Sequence, residues 1–316
     1  MRVLVPATLP DGALGPLPDG VELVRVGDGP IPPEAADARM AILAGTLPPR
    51  LDEVLRAAPR LEVVQTVSAG VDWIGDRLPG GVTLCNASGV HDTPVAEWVL
   101  AVILAMTRRL PEFLALQARG EWDGRINGYD GTRPASPLWP IPDLEGRRVL
   151  ILGHGSIGRA VQARLEPFGA RVTGVARHER PGVRPLSEAG ALAAEADIVV
   201  VLLPLTAETA GIVDGAFLDA MRPGALLVNA GRGGHVVTDD LVERLRAGRV
   251  RAALDVTDPE PLPEGHPLWS CPGVLITPHV AGTTERWLTR ALAFAGDQVR
   301  RLAAGEPLEN VRREGY

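Results

Sequence analysis

The sequence predicts an α/β protein built from doubly wound parallel sheets, and three observations support this. Short apolar runs typical of buried strands alternate with segments of helical spacing along most of the 316 residues. That length favours two domains rather than one. A glycine-rich turn at 153–158 follows one strand directly and opens a helix. We therefore expect two domains, each with a parallel sheet covered by helices.

The first third of the chain reads as a series of βαβ units. The segment LDEVLRAAP at 51–59 has helical spacing and lies between two apolar runs. Parallel strands need such crossovers, so these runs predict a buried parallel sheet. The predicted strands are residues 1–6, 21–26, 40–45, 61–68 and 82–88.

A long apolar helix is predicted next, followed by an irregular segment. Thr93 is placed as the N-cap and Pro94 at the first helical position, with the helix running to about residue 110. It is too short to span a membrane. Residues 120–145 are rich in Gly, Pro and aromatic residues and predict a loop. This loop is either an arm that caps an active site, in the same or a partner subunit, or a plain linker.

A second βαβ series begins at residue 147 and predicts the cofactor domain. A last helix at about 284–304 is expected to return to the first domain, which makes the cofactor domain an insertion. The predicted domains are a substrate domain of 1–94 and 283–316 and a dinucleotide domain of 95–282, which includes a hinge helix at 95–110. The predicted strands are 148–153, 171–176, 197–204, 225–231, 252–256 and 274–278, with helices at 156–168, 187–195 and 239–247.

Composition excludes several classes of protein. A net charge of −7 with no basic block argues against nucleic-acid binding. Lysine is absent, which excludes lysine Schiff-base chemistry and P-loop ATP binding. Cys85 and Cys271 are the only cysteines, so neither a disulfide framework nor a cysteine-rich zinc site is expected. With neither a signal peptide nor a membrane span recognised, we expect a soluble cytoplasmic protein without a metal.

The turn GHGSIG matches the dinucleotide fingerprint G-x-G-x-x-G in the strand–turn–helix context that this motif requires. Its second glycine allows a pyrophosphate to approach the helix N-terminus. The two domains are accordingly expected to be Rossmann-like or flavodoxin-like. The predicted cofactor-binding residues of the turn are Gly153, His154, Gly155, Ser156, Ile157 and Gly158.

The end of the next strand predicts a preference for NADP(H) over NAD(H). An acid that accepts bonds from the ribose 2′-hydroxyl is usual there, whereas this chain has Ala176 followed by Arg177, with Arg180 close by. A guanidinium suits a 2′-phosphate. Alternatively, Arg177 is a solvated surface residue.

Three segments at strand ends carry candidate catalytic residues: VNAGRGG, LDVTDPEP and TPHVAG. Arg232 can bind a carboxylate and polarise a carbonyl. His279 can exchange a proton near neutral pH, and Glu260 can hold its tautomer. Ligands of such sheets bind beyond the carboxyl ends of the strands, where these three residues are expected to converge. This equipment suits the reduction of a 2-oxo acid.

With these motifs the sequence resembles the D-isomer-specific 2-hydroxyacid dehydrogenases over nearly its whole length. The turn GVH before the helix start VAE, together with the Ala-Arg strand end, resembles the glyoxylate/hydroxypyruvate reductases of that family. The motifs that carry the resemblance are SAGVD (68–72), VAE (95–97), GHGSIG, LPLTAET (203–209), NAGRGG, DVTDPEP and TPHVAG.

The resemblance implies roles for individual residues. Arg232 would orient the substrate, Glu260 would support the histidine and His279 would be the acid/base. Backbone N–H groups of Ser68, Ala69, Gly70 and Val71 would hold the substrate carboxylate. Val95 and Asp255 would lie near the nicotinamide, and Pro204 and Thr209 would line the cofactor site. The product would be a D-2-hydroxy acid and the enzyme a homodimer.

Some features depart from the family pattern or leave alternatives open. His154 stands where an apolar residue is usual. Phosphite-oxidising relatives need a lysine in the SAGVD loop, and formate-oxidising relatives have Gln in place of Glu260, so both activities are disfavoured. His91 and His235 are given no role. The alternative function is a non-catalytic NAD(P)-sensing module, similar to corepressors on the same fold.

Overall fold

The computed structural model describes residues 1–74, 77–127 and 135–312, and within them buried strands alternate with helices. The strands are β1 (Arg2–Pro6), β2 (Glu22–Val26), β3 (Ala38–Leu43), β4 (Val63–Thr66), β5 (Thr83–Cys85), β6 (Arg148–Leu152), β7 (Arg171–Ala176), β8 (Val183–Pro185), β9 (Ile198–Val201), β10 (Ala225–Asn229), β11 (Val250–Leu254), β12 (Val274–Ile276) and β13 (Val311–Arg312). The α-helices are α1 (Leu51–Ala57), α2 (Asp92–Thr107), α3 (Leu110–Ala118), α4 (Ser156–Leu165), α5 (Ala189–Ala193), α6 (Gly215–Ala220), α7 (Thr238–Arg246) and α8 (Trp287–Ala304).

The chain divides into two compact units, one of which interrupts the other. The first unit is Met1–Asp92 with Gly282–Tyr316, and the second is Thr93–Ala281. The predicted domain limits at 94/95 and 282/283 lie close to these limits. The assignment of substrate and dinucleotide binding to separate domains remains a proposal.

The first unit is built on a six-stranded sheet with the order β13-β5-β4-β3-β1-β2. All pairs are parallel except that of β13 with β5, which is antiparallel and forms after the chain has returned from the second unit. Helix α1 covers one face and α8 the other, where Leu292, Ala295 and Val299 pack on β1 and β3. Burial on this face raises the pKa of the Cys85 thiol to about 11, so the thiol is protonated at neutral pH.

The second unit is built on a seven-stranded parallel sheet with the order β12-β11-β10-β9-β6-β7-β8. Counted from its own first strand, this is the order 3-2-1-4-5-6 of a dinucleotide fold with one strand added. Successive residues of each strand face opposite cores: Val149 and Ile151 pack with α2 and α4, while Leu150 and Leu152 face α5, α6 and α7. The predicted α/β class with two doubly wound parallel sheets is confirmed.

Three details of the helix predictions are wrong. Helix α2 begins at Asp92 rather than after a Thr93 cap, so Pro94 is its third residue, where a backbone N–H has no acceptor within the helix. The helix predicted to run to residue 110 ends at Thr107. Pro111 cannot continue it, because its ring would clash with the carbonyl four residues earlier, and the chain turns through Arg109 at a φ of 54°. The last helix starts at Trp287 instead of 284.

Sequence patterns did not reveal α3, α6, β8 or β13, which are short or weakly periodic. In the described parts of 120–145 there is a 3-10 turn, Gly124–Ile126, and neither an α-helix nor a strand. Residues 128–134 of that predicted loop lie outside the described residues. In the part of the chain that the structure describes, none of the helices is both long and apolar enough to span a membrane.

Candidate functional site

The GHGSIG turn lies at the carboxyl edge of the second sheet, directly beyond β6. Leu152, the last residue of β6, pairs with Val175 of β7 and with Val201 of β9. The N–H groups of Gly153 and His154 both donate to the carbonyl of Val175 at 2.9 Å. The turn is thereby fixed to the end of β7, and helix α4 starts at Ser156 with its free N–H groups at this edge.

Glycine is required at two positions of this turn. Gly153 has a φ of 101°, and a Cβ there would lie 2.5 Å from the backbone of Leu202. A Cβ on Gly158 would lie 2.5 Å from the carbonyl oxygen of Gly153, so α4 packs too closely on the turn for any side chain. By contrast, the Cβ position at Gly155 faces open space, where a pyrophosphate can approach. These residues fit a dinucleotide.

The predicted selectivity residues follow β7 at the same edge. Arg177 is ion-paired with Glu208, with 3.0 Å between Nη2 and Oε1. Arg180 donates to the backbone carbonyl of His154 and ties its loop to the fingerprint turn. Glu208 belongs to the LPLTAET motif, but sequence reasoning gave it no role, because nothing in the sequence shows that it reaches Arg177.

The turn after β9 is closed by the buried side chain of Thr209. Its hydroxyl donates to the carbonyl of Pro204 at 2.6 Å and accepts from the N–H of Thr206 at 2.9 Å. Both predicted cofactor-lining residues of this segment therefore shape the backbone turn. Their contact with a cofactor remains a prediction.

The side chain of His154 is buried against β7. The ring packs on Gly174, because a Cβ added to that glycine would lie 2.4 Å from Cδ2 of His154. Nε2 of His154 lies 2.5 Å from Oε1 of Gln162. Gln162 also donates to Glu166 at 2.7 Å. This position tolerates histidine because β7 has a glycine opposite it. A cofactor contact by His154 remains a prediction.

Glu260 and His279 are in direct contact at the carboxyl edge of β11 and β12. Nδ1 of His279 lies 2.6 Å from Oε1 of Glu260, with both side chains partly exposed. A carboxylate at this distance requires a proton on Nδ1, which leaves Nε2 to exchange a proton with another molecule. The structure thus brings Glu260 and His279 together, and their role as an acid/base unit remains a prediction.

The loop that carries His279 is held by the buried carboxylate of Asp255. Oδ1 accepts from the hydroxyl of Thr277 at 2.6 Å and from the N–H of Val280 at 2.9 Å, and Oδ2 accepts from the N–H of Ala281 at 2.8 Å. The carbonyl of Asp255 accepts from the N–H of His279 at 2.7 Å. These bonds hold His279 at a φ of 54°, which residues other than glycine seldom adopt.

Arg232 follows β10, the neighbour of β11 in the sheet. The buried amide of Asn229 spans its turn, accepting from the N–H of Gly231 at 3.1 Å and donating to the carbonyl of Arg232 at 2.9 Å. His235 is fully buried, with Nδ1 3.1 Å from the backbone nitrogen of Arg232. Sequence reasoning left His235 without a role, and its contacts make it a support for the Arg232 backbone.

In the first unit, the loop Ser68–Val71 follows β4 and is held by its carbonyl groups. The carbonyl of Ser68 accepts from the hydroxyl of Thr66 at 2.8 Å, and the carbonyl of Ala69 accepts from Nδ2 of Asn86 at 2.5 Å. Nε2 of His91 lies 3.1 Å from the carbonyl of Val67, just before the loop. The sequence gave no indication of these roles for Asn86 and His91.

Two N–H groups of this loop, those of Ala69 and Gly70, are suitable donors to an anion. Within 1–74, 77–127 and 135–312, none of the hydrogen bonds uses the N–H of Ala69 or Gly70 as donor.

Val95, which is expected near the nicotinamide, is buried on the face of α2 that packs in the second unit's core.

A family model provides the independent comparison. The NAD binding domain of the D-isomer specific 2-hydroxyacid dehydrogenases matches residues 100–281, more than half of the chain. The chain belongs to this family. As a D-isomer specific 2-hydroxyacid dehydrogenase it is an NAD(P)-dependent oxidoreductase, and the predicted family and the nicotinamide class of cofactor are confirmed.

Two similar relatives have names that refer to different substrates. The chain is 37% identical over 249 residues to glyoxylate/hydroxypyruvate reductase A of Serratia proteamaculans, covering 73% of this chain and 74% of that one. It is 35% identical over 320 residues to D-3-phosphoglycerate dehydrogenase of Mycobacterium leprae, covering 96% of this chain and 57% of that one. Membership of the family therefore does not by itself determine the substrate.

A similar solved structure is the NADPH-dependent glyoxylate/hydroxypyruvate reductase of Sinorhizobium meliloti in complex with NADP and sulfate. It has a TM-score of 0.80 and 28% sequence identity, and the match covers 99% of this chain and 98% of that one.

Proposed function

We propose that this dehydrogenase reduces a small 2-oxo acid of the glyoxylate or hydroxypyruvate class to the D-2-hydroxy acid, with NADPH as the preferred cofactor. The contact between His279 and Glu260, at the same sheet edge as the GHGSIG turn, carries the proposal. The names of related reductases from Serratia and Sinorhizobium support the substrate class. The D configuration rests on the family.

His279 is the proton donor in this proposal. Reduction adds a hydride to the carbonyl carbon and a proton to the carbonyl oxygen, so the oxygen needs a donor as it becomes an alkoxide. With Nδ1 held by Glu260, the protonated ring presents Nε2–H to that oxygen. Glu260 stabilises the imidazolium and keeps the ring oriented between turnovers.

Arg232 binds the substrate. A guanidinium forms paired hydrogen bonds with a carboxylate, and it stabilises negative charge on the adjacent carbonyl oxygen as it develops. The Asn229 and His235 contacts fix the backbone from which it extends. The N–H groups of Ala69 and Gly70, in the loop Ser68–Val71, are proposed to bind a substrate carboxylate.

The cofactor is assigned to the GHGSIG turn and the end of β7. A reduced nicotinamide bound there supplies the hydride. Ala176 stands where a carboxylate would repel a 2′-phosphate, so that repulsion is absent. Arg177 supplies a guanidinium that can bind the phosphate. The Sinorhizobium reductase, named NADPH-dependent, supports this preference.

We further propose a homodimer. Helix α3 buries none of its residues, and Leu114 is 61% exposed. Trp122, just beyond this helix, is 90% exposed. Apolar side chains left in water in one region are typical of an interaction surface.

The proposed reaction is tested by following the loss of NADPH or NADH absorbance with a panel of 2-oxo acids from glyoxylate and hydroxypyruvate to phenylpyruvate. We expect turnover to be fastest with NADPH and a small 2-oxo acid. His279→Ala is expected to lower kcat by about 100-fold or more, which is the usual contribution of a general acid. Arg232→Ala should reduce kcat/KM through loss of substrate binding.

Chiral analysis of the product checks the D configuration. Cofactor binding without turnover of any 2-oxo acid would contradict the proposal and favour a sensing function. His266→Ala is the matched control, because His266 caps the 3-10 turn Pro267–Ser270 and has no assigned role in the site, and the activity of this variant should stay near that of the unchanged protein.

A further inference from the structure

The ion pair between Arg177 and Glu208 crosses the end of the strand that leads into the GHGSIG turn. Arg177 directly follows β7, and Glu208 lies in the turn after β9. In the sheet β6 lies between these two strands, so β7 and β9 are about 10 Å apart, twice the spacing of neighbouring strands. The two side chains meet over this gap, with 3.0 Å between Nη2 and Oε1.

Both ends of this bridge are attached to fixed backbone. On one side, the hydroxyl of Thr209 closes the turn that carries Glu208. On the other, Arg180 binds the carbonyl of His154 and anchors the loop that begins at Arg177. The side chains of Arg177 and Glu208 therefore extend from fixed backbone positions that keep them within reach of each other.

The pair contributes little to the stability of the folded chain. Each side chain is 58% exposed, and ion pairs in water stabilise proteins weakly. A carboxylate that faces the proposed phosphate-binding guanidinium nevertheless affects binding, because it repels a dianion and competes for the same N–H donors.

We propose that Glu208 is a cofactor-selectivity residue, which competes with the 2′-phosphate of NADP(H) for Arg177. The inference rests on the proposed role of Arg177 in NADP(H) preference. Glu208 penalises the phosphorylated cofactor and leaves NAD(H) almost unaffected, because a ribose 2′-hydroxyl neither needs the guanidinium nor carries a charge. The preference for NADP(H) is consequently smaller than Arg177 alone would give.

The test measures dissociation constants of NADPH and NADH from nucleotide fluorescence, without substrate. Glu208→Gln keeps the size of the side chain and removes its charge. We expect NADPH to bind about two- to fivefold more tightly to this variant, the range that exposed ion pairs allow, and NADH to bind unchanged. The gain should shrink at high salt, since the charges are exposed.

Two further variants make the measurement specific. Arg177→Ala should weaken NADPH binding about tenfold or more, and adding Glu208→Gln to it should have no further effect, because the competition needs the guanidinium. Glu306→Gln, which removes one exposed carboxylate from the other unit, is the charge control and should change neither dissociation constant. Glu208→Ala repeats the test, and circular dichroism checks that every variant folds.

Three results would overturn the inference, and they differ in what else they contradict. If Glu208→Gln weakens NADH binding, Glu208 instead accepts bonds from the ribose. If Arg177→Ala weakens NADPH binding but Glu208→Gln changes nothing, the inference fails while the proposed cofactor preference stands. If Arg177→Ala leaves the ratio of NADPH to NADH affinity unchanged, both fail. Binding is read without turnover, so none of these results depends on the proposed reaction.

Discussion

Asp255 determines the position of His279 through backbone bonds rather than through contact with the imidazole. The residue is 3% exposed, and its carboxylate accepts three hydrogen bonds from the loop Thr277–Ala281. Because His279 lies in the left-handed region of backbone conformation, these bonds must offset the cost of that geometry. The same residue is expected from the family to lie near the nicotinamide, so one carboxylate would organise both partners of the reaction.

Replacing this carboxylate by an amide should destabilise the folded protein. In Asp255→Asn at least one buried N–H donor faces an NH₂ group, which cannot accept a bond, and an unsatisfied buried donor costs about 1–3 kcal/mol. We expect the free energy of unfolding in urea to fall by that amount. The exposed neighbour Asp258 provides the control, because Asp258→Asn should leave it within about 0.5 kcal/mol. Equal stability of the two variants would contradict this account of the loop.

Two helices of the second unit, α6 and α7, carry charged side chains that stabilise their ends. Helix α7 has Asp239 and Asp240 in its first turn and Arg244 and Arg246 in its last, which complements the helix dipole. Helix α6 is capped twice: Asp214 accepts from the N–H of Phe217 at 2.8 Å, and Asp240 of α7 accepts from the N–H of Gly215 at 2.7 Å. A six-residue helix needs such bonds, because short helices are marginal in isolation.

Removal of the cap of α6 therefore has a measurable cost. Asp214→Ala should lower the free energy of unfolding by about 1 kcal/mol, the usual value of an N-cap. Asp214→Ser keeps an acceptor oxygen and should restore most of the loss. Denaturant unfolding of the three proteins measures both effects. If the serine variant is no more stable than the alanine variant, the N–H of Phe217 is not the bond that matters.

At the scale of the whole molecule, each unit has a complete core of its own on both faces of its sheet. Among the described residues, α3 and the segment after it differ from this pattern, because Leu110, Leu114 and Trp122 lie in water. Burying them against a second copy of the chain is the simplest way to remove this apolar surface from solvent.

The proposed dimer gives a prediction for light scattering after size-exclusion chromatography. The unchanged protein should have twice the 33.4 kDa mass of one chain. Leu114→Glu places a charge in the proposed interface and should shift the population to monomer. Phe168→Glu, the same kind of change at another exposed apolar residue, should remain dimeric. A monomeric unchanged protein would contradict the proposal.

The fold class and the motifs of the cofactor edge can be recognised from the order of the residues alone. Buried parallel strands are apolar runs, and the glycines of GHGSIG are required by local geometry, so both can be recognised without tertiary contacts. The same holds for the residue types of Arg232, Glu260 and His279, whose chemistry is intrinsic to each side chain. Helix limits were less accurate at Asp92 and Thr107, because local capping signals competed with Pro94 and Pro111.

Several contacts between distant side chains, by contrast, are visible only in the folded chain. The contacts of Asp255 with the His279 loop, of His91 with the carbonyl of Val67 and of Glu208 with Arg177 join residues 22 to 31 positions apart. Such contacts depend on strand order, because the turns after β7 and β9 come within reach of each other only in a sheet that places both strands beside β6. Strand order is set by the packing of whole elements, and a linear motif carries no record of it.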